Sequence, residues 1–348
     1  MFGEMTKSVA SDCAIADGTS PKLELKSSQR EIDVENRLFA KSVHEGLGAS
    51  VVLTFDPLET LIFRPLGVTT KKQQHCFDHF DKAWEIGHRK ITHFTERKEA
   101  NMLNDDEKNS YLFRAIDRQK EKDSGVTARE EKELAYTGLF AAVDTTSGFL
   151  GWILFNIAIT PTVQEKLFQE ISTAVSRVGD GQLSAEVFEP EYIPYLNAVI
   201  REAHRITPTQ SLSMIKRIGI KSLKLHDKTL TEGDVVALQT FTIGHDSDIV
   251  ADPLKFMPER WLPDAVEYRK GSPSEIIDHP FLKLPFSQGA HRCPGYRVAM
   301  NEIQVMIAQM ILDWKISSPD VTNFGDMTYS QKTVVELDVP ALDFQRRV

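Results

Sequence analysis

Cysteine is scarce in this sequence of 348 residues: Cys13, Cys76 and Cys293 are the three. Three cysteines form no pairing framework, and none stands in a Cys-x-x-Cys pair, so a disulfide scaffold is excluded and a reducing compartment suits the chain. Excess positive charge is also lacking. Lys+Arg 41 against Asp+Glu 50 gives −9, and with no long basic run the chain carries no nucleic-acid footprint. Met1 to Lys22 is mixed and contains Glu4, Asp12 and Asp17, which makes a poor signal or transit peptide. No internal repeat is visible. One apolar run, Leu139 to Ile159, approaches the length of a membrane span, but it holds Asp144, Thr145, Thr146, Ser147 and Asn156. The Asp alone would cost roughly 3 kcal/mol in lipid, so a buried core helix is expected.

What is present is enough hydrophobic residue, 41%, for a sizeable core. Helical patterns cover Glu31–Leu47 (Val34, Leu38, Val43 and Leu47 near one face), Gln74–Thr95 (Phe77, Phe80, Trp84, Ile91, Phe94) and Leu112–Lys122. Thr127 and Glu130 are spaced as a capping box for a long helix ending near Ile159. Pro161 begins the next helix, which Gly179 and Gly181 end; Pro194 to Ile206 is another, closed by Pro208. Between Met214 and Thr240 the period shortens to that of strands, with a turn at Glu232-Gly233-Asp234. Prolines at 253, 258, 263, 273, 280 and 285 mark His245–Pro285 as loop. A helix from Tyr296 to Trp314 and strands near Lys315–Ser317 and Thr333–Leu337 complete the chain. The fold class expected is mainly α with small β-sheets.

The stretch Phe286-Ser287-Gln288-Gly289-Ala290-His291-Arg292-Cys293-Pro294-Gly295 holds one cysteine between two glycines, ahead of a helix. A thiolate there can bind a metal, and the positive end of the helix favours the charged sulfur. The glycines let the backbone pass close to a flat cofactor, and His291 offers a donor. The bland alternative is a buried structural cysteine. The loop resembles the haem-binding signature of the cytochrome P450 family, Phe-x-x-Gly-x-Arg/His-x-Cys-x-Gly, filled by Phe286, Gly289, His291, Cys293 and Gly295. The resemblance implies haem b with Cys293 as iron ligand.

Three further segments carry the same resemblance. Asp144 and Thr145, an acid and an alcohol inside an apolar helix, are costly to bury unless paired or hydrated; local hydrogen bonds could satisfy both. Ala141-Ala142-Val143-Asp144-Thr145-Thr146 resembles the family's oxygen-activation motif, with Ala142 where Gly is usual, and implies proton delivery by Asp144 and Thr145. Glu202 and Arg205 share a helix face; alone they read as a surface ion pair. They resemble the family's Glu-x-x-Arg motif, which a second arginine joins, here Arg260 in Pro258-Glu259-Arg260-Trp261. This trio implies a structural network. Arg217 matches a haem-propionate ligand, with Lys216 as the other choice.

The resemblance covers Glu31 to the end and implies a single cytochrome P450 domain over residues 1–348, incomplete at its N-terminus. Several segments look most like the animal mitochondrial branch that hydroxylates sterols, steroids and vitamin D. A microsomal-type or fungal enzyme is the other branch reading. The implied activity is insertion of one oxygen atom from O2 into an apolar substrate, a sterol or steroid on the branch reading. A non-catalytic fragment that retains haem poorly, and a haem-thiolate isomerase or dehydratase, stay open. No flavin or nicotinamide fingerprint is visible, so electrons are expected from a ferredoxin-type or reductase partner, with Arg201 and Arg297 as docking cations. Mitochondrial inner membrane, or endoplasmic reticulum, is the expected location. Membrane association is expected only through upstream sequence.

Overall fold

A computed structural model describes residues 34–46, 58, 62–63, 65–110, 112–114, 128–209, 212–283, 286–289, 292–326, 329–331, 335–337 and 341–347. For residues 106, 128–136, 139, 140, 144, 212–215, 281, 283, 326, 329–331 and 335–337 only the backbone is described. The chain divides into two compact units, Met1–Asp144 and Thr145–Val348.

In the first unit, helix α1 (residues 34–46) lies against helix α2 (Lys71–Glu99). α2 begins at a reciprocal capping box, in which Thr70 accepts from the Gln73 N–H while the Gln73 side chain takes that of Thr70. Glu35 binds Arg89 and Lys90 across the pair, and the Cys76 thiol faces the Gly46 carbonyl at 3.7 Å. The buried faces match the expected ones in part: Val43 on α1 and Ile91 and Phe94 on α2 lie inside as expected. On α1 the inward residues are Asn36, Phe39, Ser42, Val43 and Gly46, whereas Val34 and Leu38 are exposed. On α2 they are Cys76, Ala83, Ile86, Gly87, Ile91 and Phe94, whereas Phe77 and Trp84 are exposed. Cys76 and Ala83 take inward positions next to Phe77 and Trp84, whose rings lie outside. Leu47, the capping box at Thr127 and Glu130, and most of the helix expected at Leu112–Lys122 lie outside the described residues.

Helix α3 (Ala128–Ala158) spans the unit boundary. Its C-terminal part, with Phe149, Trp152, Ile153, Phe155 and Ile157, is core of the second unit. It packs with α4 (Pro161–Val178), α5 (Pro194–Ile206) and α9 (Tyr296–Asp313) through Leu167, Ile171, Leu196, Ile200, Ile303 and Ile307. Pro occupies the first turn of α4 and of α5, where its missing N–H costs nothing. Gly179 closes α4: a Cβ there would meet the Gln182 carbonyl at 2.2 Å. Among the described residues no single helix is long and apolar enough to cross a membrane; the stretch Ala141–Ala158 with Pro161–Val178 meets that test only as a pair bent by 107°.

The strands form two-stranded antiparallel ribbons: β1 (Leu212–Arg217) with β4 (Val235–Gln239), β2 (Ser222–Leu225) with β3 (Lys228–Thr231), β5 (Trp314–Ser317) with β8 (Asp343–Arg346), and β6 (Tyr329–Gln331) with β7 (Val335–Leu337). β5 is attached to α4 by one side chain: Gln164 donates to the Ile316 carbonyl and accepts from the Ile316 N–H, both at 2.8 Å. The stretch expected as loop between His245 and Pro285 instead contains short helices, the 3₁₀ turns Pro258–Trp261 and Pro273–Asp278 with α7 (Pro263–Tyr268) and α8 (Pro280–Lys283); α6 (Thr240–His245) precedes it. Four of its prolines are helix starters rather than breakers.

Candidate functional site

The cysteine loop is closed by its own backbone. The Cys293 N–H donates to the Phe286 carbonyl at 2.8 Å, and the Arg292 N–H to that of Gly289 at 3.1 Å. Gly289 sits at φ +72°, a left-handed conformation that a side chain would strain. Phe286 meets Tyr296 edge-on at 5.0 Å, and the Arg292 guanidinium lies 4.2 Å from the Tyr296 ring centre. A Cβ on Gly295 would sit 3.7 Å from the Cys293 sulfur. α9 starts just beyond, with Gly295 as an N-cap that makes no side-chain bond. Its first N–H groups therefore lack a side-chain acceptor from the cap, and the end of an 18-residue helix favours an anion.

Cys293 is a free, exposed thiol. It is therefore not the buried structural cysteine of the bland reading. An accessible sulfur at an uncapped helix start, flanked by an aromatic ring and two glycines, fits the donor set of a thiolate-held haem. His291 lies outside the described residues, as does the Asp144 side chain. Thr145 is partly buried in α3. Arg217 and Lys216 are both exposed on β1, and they pair with Val235 and Val236 at successive positions, so they face opposite sides of the ribbon.

The Glu202 network is the opposite environment. Glu202 is 0% exposed. Its carboxylate accepts from Arg205 Nε (3.0 Å) and Nη2 (2.9 Å), the Met257 N–H (2.9 Å), Arg260 Nε (3.3 Å) and Trp261 Nε1 (2.9 Å). Arg205 spends its remaining donors on the carbonyls of Gly244, Pro253 and Lys255, and Arg260 donates to that of Asp252. A Cβ at Gly244 would lie 2.6 Å from the Arg205 carbonyl, so only glycine allows α6 so near. Burial pulls the Arg260 guanidinium's pKa down, against the pull of Glu202. Glu202, Arg205 and Arg260 thus meet in one place.

Arg201 does not have the free surface position expected of it. Its guanidinium binds Asp278 at 2.5 Å and lies 3.9 Å from the Trp261 ring centre; burial lowers its pKa to about 10, with Asp278 opposing. Arg297 is exposed. Residues that sequence reasoning passed over surround this site. Trp261 directly follows Arg260, but nothing in its spacing reveals a bond to Glu202. Asp278 and Arg269 carry no sequence signal. Glu170 of α4 accepts the N–H groups of Tyr195 and Leu196 at 2.6 and 2.8 Å, and so caps α5 from a neighbouring helix.

The family model described as Cytochrome P450 matches residues 41–339. Among similar proteins, 1,25-dihydroxyvitamin D(3) 24-hydroxylase, mitochondrial, of Mus musculus is 33% identical over 194 residues, 56% of this chain and 35% of that protein. Cytochrome P450 93B16 of Glycine max is 32% identical over 200 residues, 57% of this chain and 36% of that protein. The human 25-hydroxyvitamin D-1 alpha hydroxylase, mitochondrial, is 31% identical over 178 residues, 51% of this chain and 32% of that protein. The aligned stretch thus spans about a third of each relative's length. The solved heme domain of a cytochrome P450DA triple mutant superposes with a TM-score of 0.63 at 16% identity, covering 89% of this chain and 61% of that one. With a family model over most of its length and a shared fold, this chain belongs to the cytochrome P450 family.

Proposed function

We propose that the chain is the haem-thiolate part of a monooxygenase that inserts one oxygen atom from O2 into an apolar substrate. The observation that carries this reading is Cys293: an accessible thiol, held by the Phe286–Cys293 backbone bond at the uncapped start of α9. Haem b, when bound, supplies the activation of O2. The chain's own residues do the rest. Cys293 presents the sulfur at the start of α9. Phe286, braced on Tyr296, fixes the start of the loop, and its carbonyl holds the Cys293 N–H. His291 and Arg217, or Lys216 in its place, bind the cofactor's acidic groups. Asp144 and Thr145 hold and pass a proton. Purified protein should give a thiolate-type carbonyl spectrum, and Cys293→Ser should abolish it; a variant that keeps the spectrum rejects the reading. Thr145→Ala should keep haem and divert reducing equivalents to peroxide, so unchanged coupling of electron use to product rejects that role.

A sterol or steroid as substrate, a ferredoxin-type electron donor and a mitochondrial inner-membrane location rest on likeness to the mouse and human hydroxylases. Likeness of the same order to the Glycine max protein does not favour that branch, and the other reading is a reductase partner at the endoplasmic reticulum. The other reading of the chain itself is one that retains haem poorly. Expressing this chain beside an upstream-extended version separates the two: equal haem occupancy and turnover would remove the poorly retaining form.

A further inference from the structure

Two guanidiniums lie over one indole. Arg201 and Arg269 sit 3.9 and 5.0 Å from the Trp261 ring centre. Two cations that close repel each other unless a counter-charge holds them. Asp278 is that counter-charge: it accepts from Arg269 Nε at 2.5 Å and Nη2 at 2.8 Å, and from Arg201 Nη2 at 2.5 Å. All three side chains are largely buried, at 12% exposure for Arg201, 9% for Arg269 and 21% for Asp278. Arg269 also donates to the carbonyl of Arg260. The ring they hold donates its N–H to Glu202.

The same aspartate lies next to the cysteine loop along the chain. Asp278 ends the 3₁₀ turn Pro273–Asp278, and α8 starts two residues later at Pro280. The Pro280 carbonyl accepts from Gln288 Nε2 at 3.4 Å. Gln288 sits in the loop, two residues after Phe286, whose carbonyl takes the Cys293 N–H. Side-chain contacts thus run from Glu202 through Trp261 and its two arginines to Asp278; from there the backbone leads through His279 to Pro280, whose carbonyl meets Gln288.

We propose that Asp278 is a positioning residue that ties the buried Glu202 network to the Cys293 loop, acting through Trp261 on one side and the Pro280–Gln288 contact on the other. Its consequence for haem rests on the proposed function; its control of loop order does not. Arg201 then serves within the protein as half of this clamp, and docking of an electron donor falls to other cations.

The test uses the haem-free full chain and reads alkylation of Cys293 by iodoacetamide on its own peptide. Buried Cys76 is the internal reference. Asp278→Asn should speed Cys293 alkylation roughly 3- to 30-fold, the span that coupling through a packed network carries. Asp278→Glu should return the rate towards that of the wild type. Gln288→Ala should also speed it, and adding Asp278→Asn to Gln288→Ala should change little further, because both act on one path. Gln164→Ala, which unties β5 instead, should lower the melting temperature and leave the Cys293 rate unchanged. An unchanged rate in folded Asp278→Asn, independent effects in the double variant, or equal acceleration by Gln164→Ala would each overturn the proposal. Should Asp278→Asn not fold, Trp261→Phe with Gln288→Ala decides by the same non-additivity. A missing thiolate spectrum in the haem-loaded wild type, with these rates as expected, would remove the haem reading and leave the clamp standing.

Discussion

The Cys293 loop and the Glu202 network belong to one unit and are built on opposite principles. The loop leaves its sulfur exposed and rests on a few backbone bonds and one ring contact. The network buries a carboxylate completely and gives it five donors. The accessible thiol sits in a lightly braced loop, and the dense bonding is concentrated in the buried network. A buried charge is costly unless fully paired, so such a network tolerates no missing member, whereas an exposed thiol can be replaced without the fold noticing.

Breaking the network should give the largest effect. Arg205→Ala takes two of the five donors from buried Glu202 and leaves three carbonyls without their guanidinium, and should cost ~3–5 kcal/mol, read as a lower denaturation midpoint with little change in its slope. A variant of wild-type stability would dissolve the contrast. Next comes His204, between the two network residues on α5. It is buried edge-on against Phe149, with its pKa lowered to about 3 chiefly by burial and further by Arg201. Above its ordinary value of 6.5 it is neutral folded or unfolded, and costs nothing. As pH falls below that value the unfolded chain takes up a proton that the folded chain refuses, so stability drops by about 1.4 kcal/mol per pH unit, about 2 kcal/mol by pH 5. The loss is complete only near the folded pKa. His204→Leu should flatten that slope in denaturation curves measured from pH 7 to 5. Smallest on stability is Cys293→Ser, expected within about 0.5 kcal/mol in haem-free protein although it removes the thiolate. Arg297→Glu should likewise leave melting unchanged while weakening reduction by an acidic ferredoxin at low salt. Arg201→Glu should fail on stability first, since it sets a like charge beside Asp278.

Much of this contrast was legible in the residues, but unevenly. Helices announced by a first-turn proline, at Pro161 and Pro194, were readable because that signal is local. The Glu202–Arg205 spacing was readable for the same reason, and Arg260 through its motif. The inward faces of α1 and α2 were readable only in part: Val43, Ile91 and Phe94 are inside, but Phe77 and Trp84 advertise a core that Cys76 and Ala83 occupy. Between His245 and Pro285 the prolines gave the right landmarks and the wrong meaning: proline both ends and begins helices, and only the following residues' backbone decides. Trp261, Asp278 and Arg269 were illegible because their partners are distant in sequence or set by a fold that brings α5 beside the Pro258–Trp261 turn. Exposure of Cys293 was illegible too, since a free cysteine is by habit buried.

Gln164 has a consequence beyond anchoring the C-terminal ribbon. Ile316, opposite Phe344 in β5–β8, has both outward-facing backbone groups taken by one amide. A side chain from a helix thereby stands in for the next strand. A ribbon with a bare edge invites pairing by any extended segment, including one from another copy of the chain. Here that edge is capped at its centre, so the folded chain carries its own guard against strand-to-strand pairing at this point, supplied by a residue 152 positions upstream.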